Sequence, residues 1–446
     1  MVTLQRWAAR ATLALTFAFA PMIAAAQTLV RDAEIEYALQ QVAQPILQAA
    51  GLPSSTRIFV ILDSSLNAFV VDNKSIFFHS GLLLKLDTPA KVQAVIAHEA
   101  AHIANGHISR RRSNIGAAST AAQLGLLLAA AAAAAGGSGD AAAGLAIGAG
   151  SAAQRALFAH TRAEEASADQ AALRYMRQAG VDPKAMVDVL DIFRGQEALS
   201  RGRQDPYAVT HPLTRDRLRA VEAFAAGTTG DVQTNPTTAY WYARAVGKLS
   251  AFSRAPSWTL RRVRNDTDEI ATMRRAVAYH RKPDTSRALE TIDRVIGMRP
   301  NDPFYHELKG QILLESRRVD AAIASYRRAI ELRPREPLIL RGLGRALLGA
   351  DTAGSNAQAL QVLTEARGRD AFDPGLLRDL ALAHARAGQN GLASVATAER
   401  YAILRRFKDA ATHAQRAAGL LPQGSSGWLR AQDVLSAAKQ AGVANK

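Results

Sequence analysis

The chain has 446 residues, 48% of them hydrophobic and 6% aromatic, and its 55 basic and 39 acidic side chains give a net charge of +16. This length predicts two or three domains rather than one core. The absence of cysteine excludes disulfide bonds and thiolate metal ligands. The basic side chains lie scattered without interleaved aromatic residues, which argues against nucleic-acid binding.

The N-terminal segment 1–26 has the pattern of a secretory signal peptide. Two arginines precede a short apolar stretch over 11–20, and Pro21 interrupts it. Ala24 and Ala26 then occupy the small-residue positions of a cleavage site. We therefore expect export to the periplasm and cleavage after Ala26.

The next segment predicts a helix and a small sheet. Residues 32–50 have helical periodicity, 57–62 form an apolar strand, and 67–79 have the pattern of a β-hairpin. We expect the second hairpin strand to be the sheet edge to which an extended substrate adds. This predicted substrate strand consists of Ser75, Ile76, Phe77, Phe78 and His79.

A metal-binding motif follows on a helix that is predicted to begin near Thr88. His98-Glu99-Ala-Ala-His102 matches H-E-x-x-H, and residues four apart share a helix face about 6 Å apart, so both imidazoles can reach one tetrahedral zinc. Glu99 lies about 100° round the helix, where it can take a proton from zinc-bound water. His107 lies about 180° from His98 if the helix continues, so it is predicted to be structural or exposed.

Residues 115–150 consist almost wholly of alanine, leucine and glycine around a Gly-Ser-Gly-Asp tip. Their length allows a membrane-spanning pair, but alanine and glycine contribute little apolar surface. We predict a helical hairpin or lid near the active site, with peripheral membrane contact as a further hypothesis.

A third metal ligand is predicted in the segment 161–169. Glu165 and Asp169 are four residues apart and share a helix face. One carboxylate can bind the metal while the other accepts an imidazole N–H from a ligand histidine. Glu164 points about 100° away and is the competing candidate.

The C-terminal part repeats with a period of 34 residues. Within one unit, small, aromatic and proline residues stand at the positions typical of a tetratricopeptide repeat, which are Gly310, Ala322, Tyr326, Ala329 and Pro334. The phase is lost between about 350 and 390, so the number of repeats stays open. The pattern predicts an α-solenoid that binds other proteins.

The HEAAH motif together with E-x-x-A-D at 165–169 resembles the gluzincin peptidases that include the CAAX prenyl proteases and the HtpX-type proteases. The segments 67–69 and 76–82 are similar to that family, as is a T-H-P-x-x-x-x-R element over 210–217. With the signal peptide and the repeats, the chain resembles periplasmic members that serve β-barrel assembly. One departure is the Ala-rich insert after the HEAAH helix, whose composition differs from the family pattern at this place.

The resemblance implies a set of roles for the candidate site residues. His98, His102 and Glu165 would bind one Zn2+ per chain, Glu99 would act as base and acid, and Asp169 would support a ligand histidine.

Three interpretations of His211 stay open. The resemblance implies that it approaches the zinc as an extra ligand and holds the enzyme latent, with Arg217 in the same element. The residues alone allow a second role, in which His211 donates a hydrogen bond to the oxyanion of the transition state. It could also be a structural cap before Pro212.

The expected fold is mostly α with a small β-sheet. A zincin-type metalloprotease domain over 27–262 is followed by a tetratricopeptide α-solenoid over 263–446. The expected function is a periplasmic zinc endopeptidase acting on unfolded or misassembled outer-membrane proteins. The solenoid would recruit the enzyme to the outer-membrane assembly machinery, and chaperone activity would accompany proteolysis. The alternatives are a non-catalytic chaperone or scaffold with a latent zinc site, and a membrane-embedded protease of the CAAX type.

Overall fold

The structure, a computed structural model, describes residues 29–110, 162–200, 203–228 and 235–443. The predicted signal peptide 1–26 and the predicted Ala-rich hairpin 115–150 lie outside these ranges. Among the described residues, no helix combines the length and the hydropathy needed to cross a membrane.

A four-stranded sheet and helix α1 begin the described chain. The bounds are β1 (Leu29–Val30), α1 (Ala33–Ala49), β2 (Arg57–Ile61), β3 (Ala68–Val70) and β4 (Ser75–His79). The strand order is β1-β2-β4-β3, with β4 parallel to β2 and antiparallel to β3. The predicted hairpin is therefore confirmed.

The prediction that Ser75–His79 forms a sheet edge is wrong. Strand β4 pairs with β2 on one side and with β3 on the other, so both of its sides are occupied. Among the described strands, the free edge on this side belongs to β3. The amide of His79 donates to the carbonyl of Asn67. In the alternating antiparallel ladder, the backbone groups of Ala68 and Val70 then point away from β4.

Further helices follow among the described residues of the part of the chain that carries the sheet. Their bounds are α2 (Ser80–Lys85), α3 (Pro89–Ala104), α4 (162–178), α5 (Lys184–Ile192), α6 (Pro206–Thr210), α7 (Arg215–Ala226) and α8 (Pro236–Ser253). Thr88 caps α3 by accepting a hydrogen bond from the Lys91 amide, and Pro89 occupies its first turn, as predicted. Apolar side chains of α1 and α3 form one core with Ile58, Ile76 and other inward residues of the sheet.

The C-terminal part consists of successive helices that pack against their neighbours along the chain. They are α9 (Pro256–Arg262), α10 (Glu269–Arg281), α11 (Thr285–Met298), α12 (Pro303–Glu315), α13 (Val319–Leu332), α14 (Pro337–Ala350), α15 (Ala353–Arg369), α16 (Pro374–Arg386), α17 (Asn390–Ile403), α18 (Phe407–Leu420) and α19 (Ser426–Gln440). Gly310 is required where the helices touch, because a Cβ there would meet the Tyr326 ring at 2.9 Å.

The loss of sequence phase after residue 350 has a simple structural cause. Helix α15 has 17 residues whereas α13 has 14. As a result Pro374 follows Pro337 by 37 positions, instead of the 34 that separate Pro337 from Pro303. The helical stacking itself continues through this region.

Buried charges connect the solenoid to the part that carries the sheet. Arg244 of α8 is fully buried and donates to Glu34 of α1 and to Asp302 just before α12. Lys248 of α8, also fully buried, lies 3.2 Å from Glu34 and 3.5 Å from Glu307 of α12. Removing one partner of such a pair leaves an uncompensated buried charge, so these contacts hold the two parts in one arrangement.

Candidate metal centre

Three segments of the chain bring four candidate metal-binding side chains to one buried point. Helix α3 supplies His98 and His102, α4 supplies Glu165, and His211 follows the last residue of α6. One candidate ligand atom from each lies within 4.8 Å of the others, and all four side chains are buried. Three of these residues are the zinc ligands implied by the sequence resemblance, and the fourth is the histidine whose role stayed open.

The donor atoms converge on a common point. His98 Nε2 lies 3.1 Å from His102 Nε2, and the two carboxylate oxygens of Glu165 lie 3.2 and 3.4 Å from these nitrogens. Separations of this size are those of ligands that share one ion with bonds of about 2.0–2.2 Å. The residues therefore fit a metal ion by donor type and by spacing.

The ionisable groups at this point shift one another's pKa values. Burial lowers the pKa of His98, but the carboxylates of Asp169 and Glu165 outweigh it and raise that pKa to about 10. Burial and the adjacent His98 hold the pKa of His102 well below its usual range. Burial opposes ionisation of Glu165, yet His211 and His98 hold its pKa well below the ordinary value. A buried anion surrounded by imidazoles is a site at which a cation is stabilised.

Asp169 and Arg217 lie directly behind His98. Asp169 Oδ1 is 3.0 Å from His98 Nδ1. Arg217 donates to the same carboxylate and also to the carbonyl of Pro212, at 2.8 Å from Nη1. It lies 3.2 Å from Glu165 as well. Arg217 thus connects the two acidic residues of α4 to the segment that carries His211.

The two ring nitrogens of His211 face different groups. Nδ1 lies 3.2 Å from His98 Nε2 and 3.1 Å from a Glu165 oxygen. Nε2 lies 3.4 Å from Glu99 Oε1, and Glu99 is fully buried. His211 is therefore placed between the ligand atoms and the predicted catalytic carboxylate.

Glu164, the competing candidate, is not brought to this cluster. Its carboxylate lies 3.9 Å from Arg110. The choice between neighbouring acidic residues depends on which side of α4 faces α3, and Glu165 is the one that faces His98 and His102.

Two residues beside the cluster were not predicted there from the sequence. His107 is buried, so an exposed position is excluded, and its Nδ1 lies 2.9 Å from His102 Nδ1. The predicted 180° separation does not apply, because α3 ends at Ala104 and Gly106 turns the chain with φ +68°. The Tyr207 ring lies 4.6 Å from the His211 ring, and the four-residue spacing of this pair was the available signal.

The buried cluster on the H-E-x-x-H helix, together with the helical solenoid, defines a metallopeptidase with a repeat domain. Residues 31–225 match the family described as Peptidase family M48, and residues 308–374 match the tetratricopeptide repeat. The chain carries an M48 peptidase domain followed by tetratricopeptide repeats, and it is a metalloprotease. The sequence predictions of this class and of a mostly helical fold are confirmed.

Curated relatives match this chain at low identity. The β-barrel assembly-enhancing protease of Escherichia coli (strain K12) is 23% identical over 387 residues, which cover 85% of this chain and 78% of that protein. The metalloprotease LoiP of the same organism is 28% identical over 178 residues, covering 38% of this chain and 62% of that protein. Among solved structures, a thermophilic tetratricopeptide protein of Thermus thermophilus is 19% identical with a TM-score of 0.29, covering 38% of this chain and all of that one.

Proposed function

We propose that the chain is a zinc-dependent endopeptidase in which His98, His102 and Glu165 hold one Zn2+. The convergence of these side chains at a buried point is the observation that carries the proposal. Imidazole nitrogens and a carboxylate oxygen are the donors that zinc takes in catalytic sites, where three protein ligands leave one position open. The chain has no cysteine that could compete for the ion.

Glu99 is the proposed general base and acid. It is buried on the metal helix, next to His98 in sequence. When bound, zinc polarises the scissile carbonyl and lowers the pKa of the attacking water towards neutrality. Glu99 takes the proton from that water and passes it to the leaving amine. Asp169 orients the His98 imidazole through Nδ1, and Arg217 holds Asp169 in place.

His211 is proposed to keep the enzyme latent at rest. Its Nδ1 lies among the ligand atoms, which is the position that a substrate carbonyl has to approach. Withdrawal of this imidazole would open the site. The competing role, stabilisation of the oxyanion, needs His211 during turnover and therefore predicts the opposite effect of removing it.

The proposed substrate-binding strand is β3, which replaces β4 in this role. The backbone groups of Ala68 and Val70 point away from β4, and β3 contacts the metal helix α3. An extended peptide can add there as a further antiparallel strand, held by main-chain hydrogen bonds. This mode suits unfolded clients because the contacts are to the peptide backbone.

We place this activity in the periplasm, on unfolded or misassembled outer-membrane proteins. The proposal is supported by the β-barrel assembly-enhancing name of the relative and by the repeats, which suit recruitment of the outer-membrane assembly machinery. In this scheme the signal peptide ends at Ala26, the protease domain spans 27–262 and the repeats span 263–446. Chaperone activity of the solenoid is the second candidate function. Binding of unfolded proteins in the absence of zinc would favour it.

The test compares metal content and cleavage of unfolded casein for three variants of the mature chain. Glu99→Gln is expected to retain one zinc per chain and lose cleavage. Glu165→Gln is expected to lose the metal, whereas Glu164→Gln, one residue away and outside the cluster, keeps both. Full proteolysis by Glu99→Gln would exclude this mechanism, and a wild type that binds casein without cleaving it would favour the chaperone.

A further inference from the structure

A groove of about 880 Å3 separates helices α4 and α7 behind the metal centre. Its lining includes Asp169 and Arg217, which are already paired with each other. The groove contains none of the four metal-binding side chains. No proposed peptidase step places a substrate in it, although Asp169 and Arg217 in its lining support His98 from behind.

Three arginines of α4 give this groove a positive wall. Arg162, Arg174 and Arg177 all line the groove, and Arg174 and Arg177 are three residues apart, a spacing that makes side chains neighbours on a helix surface. Within the described ranges, none of the three guanidinium groups forms an ion pair or hydrogen bond with another residue, although that of Arg177 lies 5.7 Å over the Phe224 ring. The remaining acidic group in the lining is Asp216. The groove therefore has a positive balance that an anion would neutralise.

The rest of the lining is apolar. Leu173 of α4 is almost fully buried, Val221 of α7 is fully buried, and Phe224 lies beside them. Gln170 and Thr214 are the uncharged polar side chains that line the groove. A peptide in this groove would bury backbone amides with few partners, and each unpaired amide is costly. A hydrocarbon chain has no such groups, so the lining favours an anion with an apolar tail.

We propose that this groove binds an anionic phospholipid. The phosphate would lie on Arg174 and Arg177, because guanidinium groups match pairs of phosphate oxygens. The acyl chain would lie on the wall formed by Val221 and Phe224. Lipid binding here does not depend on the proposed peptidase chemistry, and failure of either leaves the other intact.

Occupancy of the groove also acts on the metal centre through geometry. Helix α4 carries Glu165 and Asp169, while α7 carries Arg217, which pairs with Asp169. A ligand that contacts both helices holds them together. Because a ligand of the folded state stabilises it by mass action, the melting temperature of the mature protein rises with lipid concentration.

The experiment measures binding of dihexanoylphosphatidylglycerol, kept below its micelle concentration, to the mature full chain by calorimetry. Arg174→Gln combined with Arg177→Gln is expected to weaken binding at least tenfold and to abolish the rise in melting temperature. Arg219→Gln is the matched control, because this exposed arginine lies on α7 but does not line the groove. Ala220→Glu, which adds a negative charge to the lining without touching the arginines, is expected to weaken binding similarly.

Four results would overturn the proposal. Unchanged lipid affinity in the double variant, with a native circular dichroism spectrum, places the lipid elsewhere. Equal affinity for inorganic phosphate means that the apolar wall takes no part. Tighter binding of an acidic peptide than of the lipid, lost in the same variant, identifies a peptide groove. Dihexanoylphosphatidylcholine is expected to bind at least tenfold more weakly than the anionic lipid, and equal binding would contradict a phosphate-directed site.

Discussion

Arg217 donates two parallel hydrogen bonds to Asp169, from Nε at 2.6 Å and from Nη2 at 2.9 Å. Asp169 in turn lies 3.0 Å from His98 Nδ1. The Asp169 carboxylate of α4 thus connects Arg217 of α7 to His98 of α3. A residue 119 positions after His98 in the sequence is therefore connected to that imidazole through a single carboxylate.

Arg217→Lys is expected to lower metal affinity about 10- to 100-fold, the usual effect of losing an outer partner of a ligand histidine. Lysine keeps the charge but presents a single ammonium group, so the two parallel bonds to Asp169 are lost. Competition with a chelator of known affinity measures the change. Arg219→Lys, exposed on the same helix, is the control, and equal affinities for the two variants would show that the pair does not support the site.

His211→Ala is expected to raise the basal rate of casein cleavage several-fold without loss of zinc. The substitution removes an imidazole from among the ligand atoms but leaves His98, His102 and Glu165 in place. Metal content and initial rates are measured on the same preparations. An inactive variant with its full zinc content would instead assign His211 to stabilisation of the oxyanion.

The local parts of the site follow from sequence, whereas the long-range parts do not. His98 and His102 share one helix, so helical spacing alone places them together. Spacing paired Glu165 with Asp169 on one helix face but left open which carboxylate binds the metal, so the assignment of Glu165 required the family resemblance. Strand β4 was predicted to be a sheet edge because the local pattern reveals only its hairpin partner β3. Its parallel partner β2 is not its neighbour along the chain. His107 was misplaced because the helix was expected to continue past the point where it ends.

The interface between the sheet-bearing part and the solenoid shows the same limit. Arg244 and Glu34 are 210 positions apart, and nothing in either local sequence pattern indicates that they meet. Their burial follows from how α1, α8 and α12 pack. Such pairs come from tertiary structure, which periodicity along the chain does not reveal.

Arg244→Ala is expected to lower the free energy of unfolding by about 3–5 kcal/mol, because it removes one of the two buried cations that face Glu34 and also the partner of Asp302. Urea denaturation, followed by circular dichroism, measures the change. Arg294→Ala removes the exposed pair with Glu290 and is expected to cost about 0–1 kcal/mol. Similar losses for the two variants would show that the buried pair is no stronger than a surface pair.

Proline substitutions in β3 distinguish the role of its free edge from its role in the sheet. Proline lacks an amide hydrogen and is tolerated in edge strands where that hydrogen points away from the sheet. The amide of Val70 points away from β4, so Val70→Pro is expected to keep the melting temperature close to that of the wild type. It should lower casein cleavage at least tenfold, because the substrate strand loses a main-chain partner.

Phe69→Pro provides the contrast within the same strand. Phe69 lies opposite Phe77 at a hydrogen-bonded position of the ladder, so its amide points towards β4. This variant is expected to lose stability, because proline removes a bond within the sheet. Melting curves and initial rates of both variants separate the two effects. If Val70→Pro cleaves casein at the wild-type rate, the substrate does not add to β3. If the variant loses activity but keeps its stability, β3 is the strand to which the substrate adds.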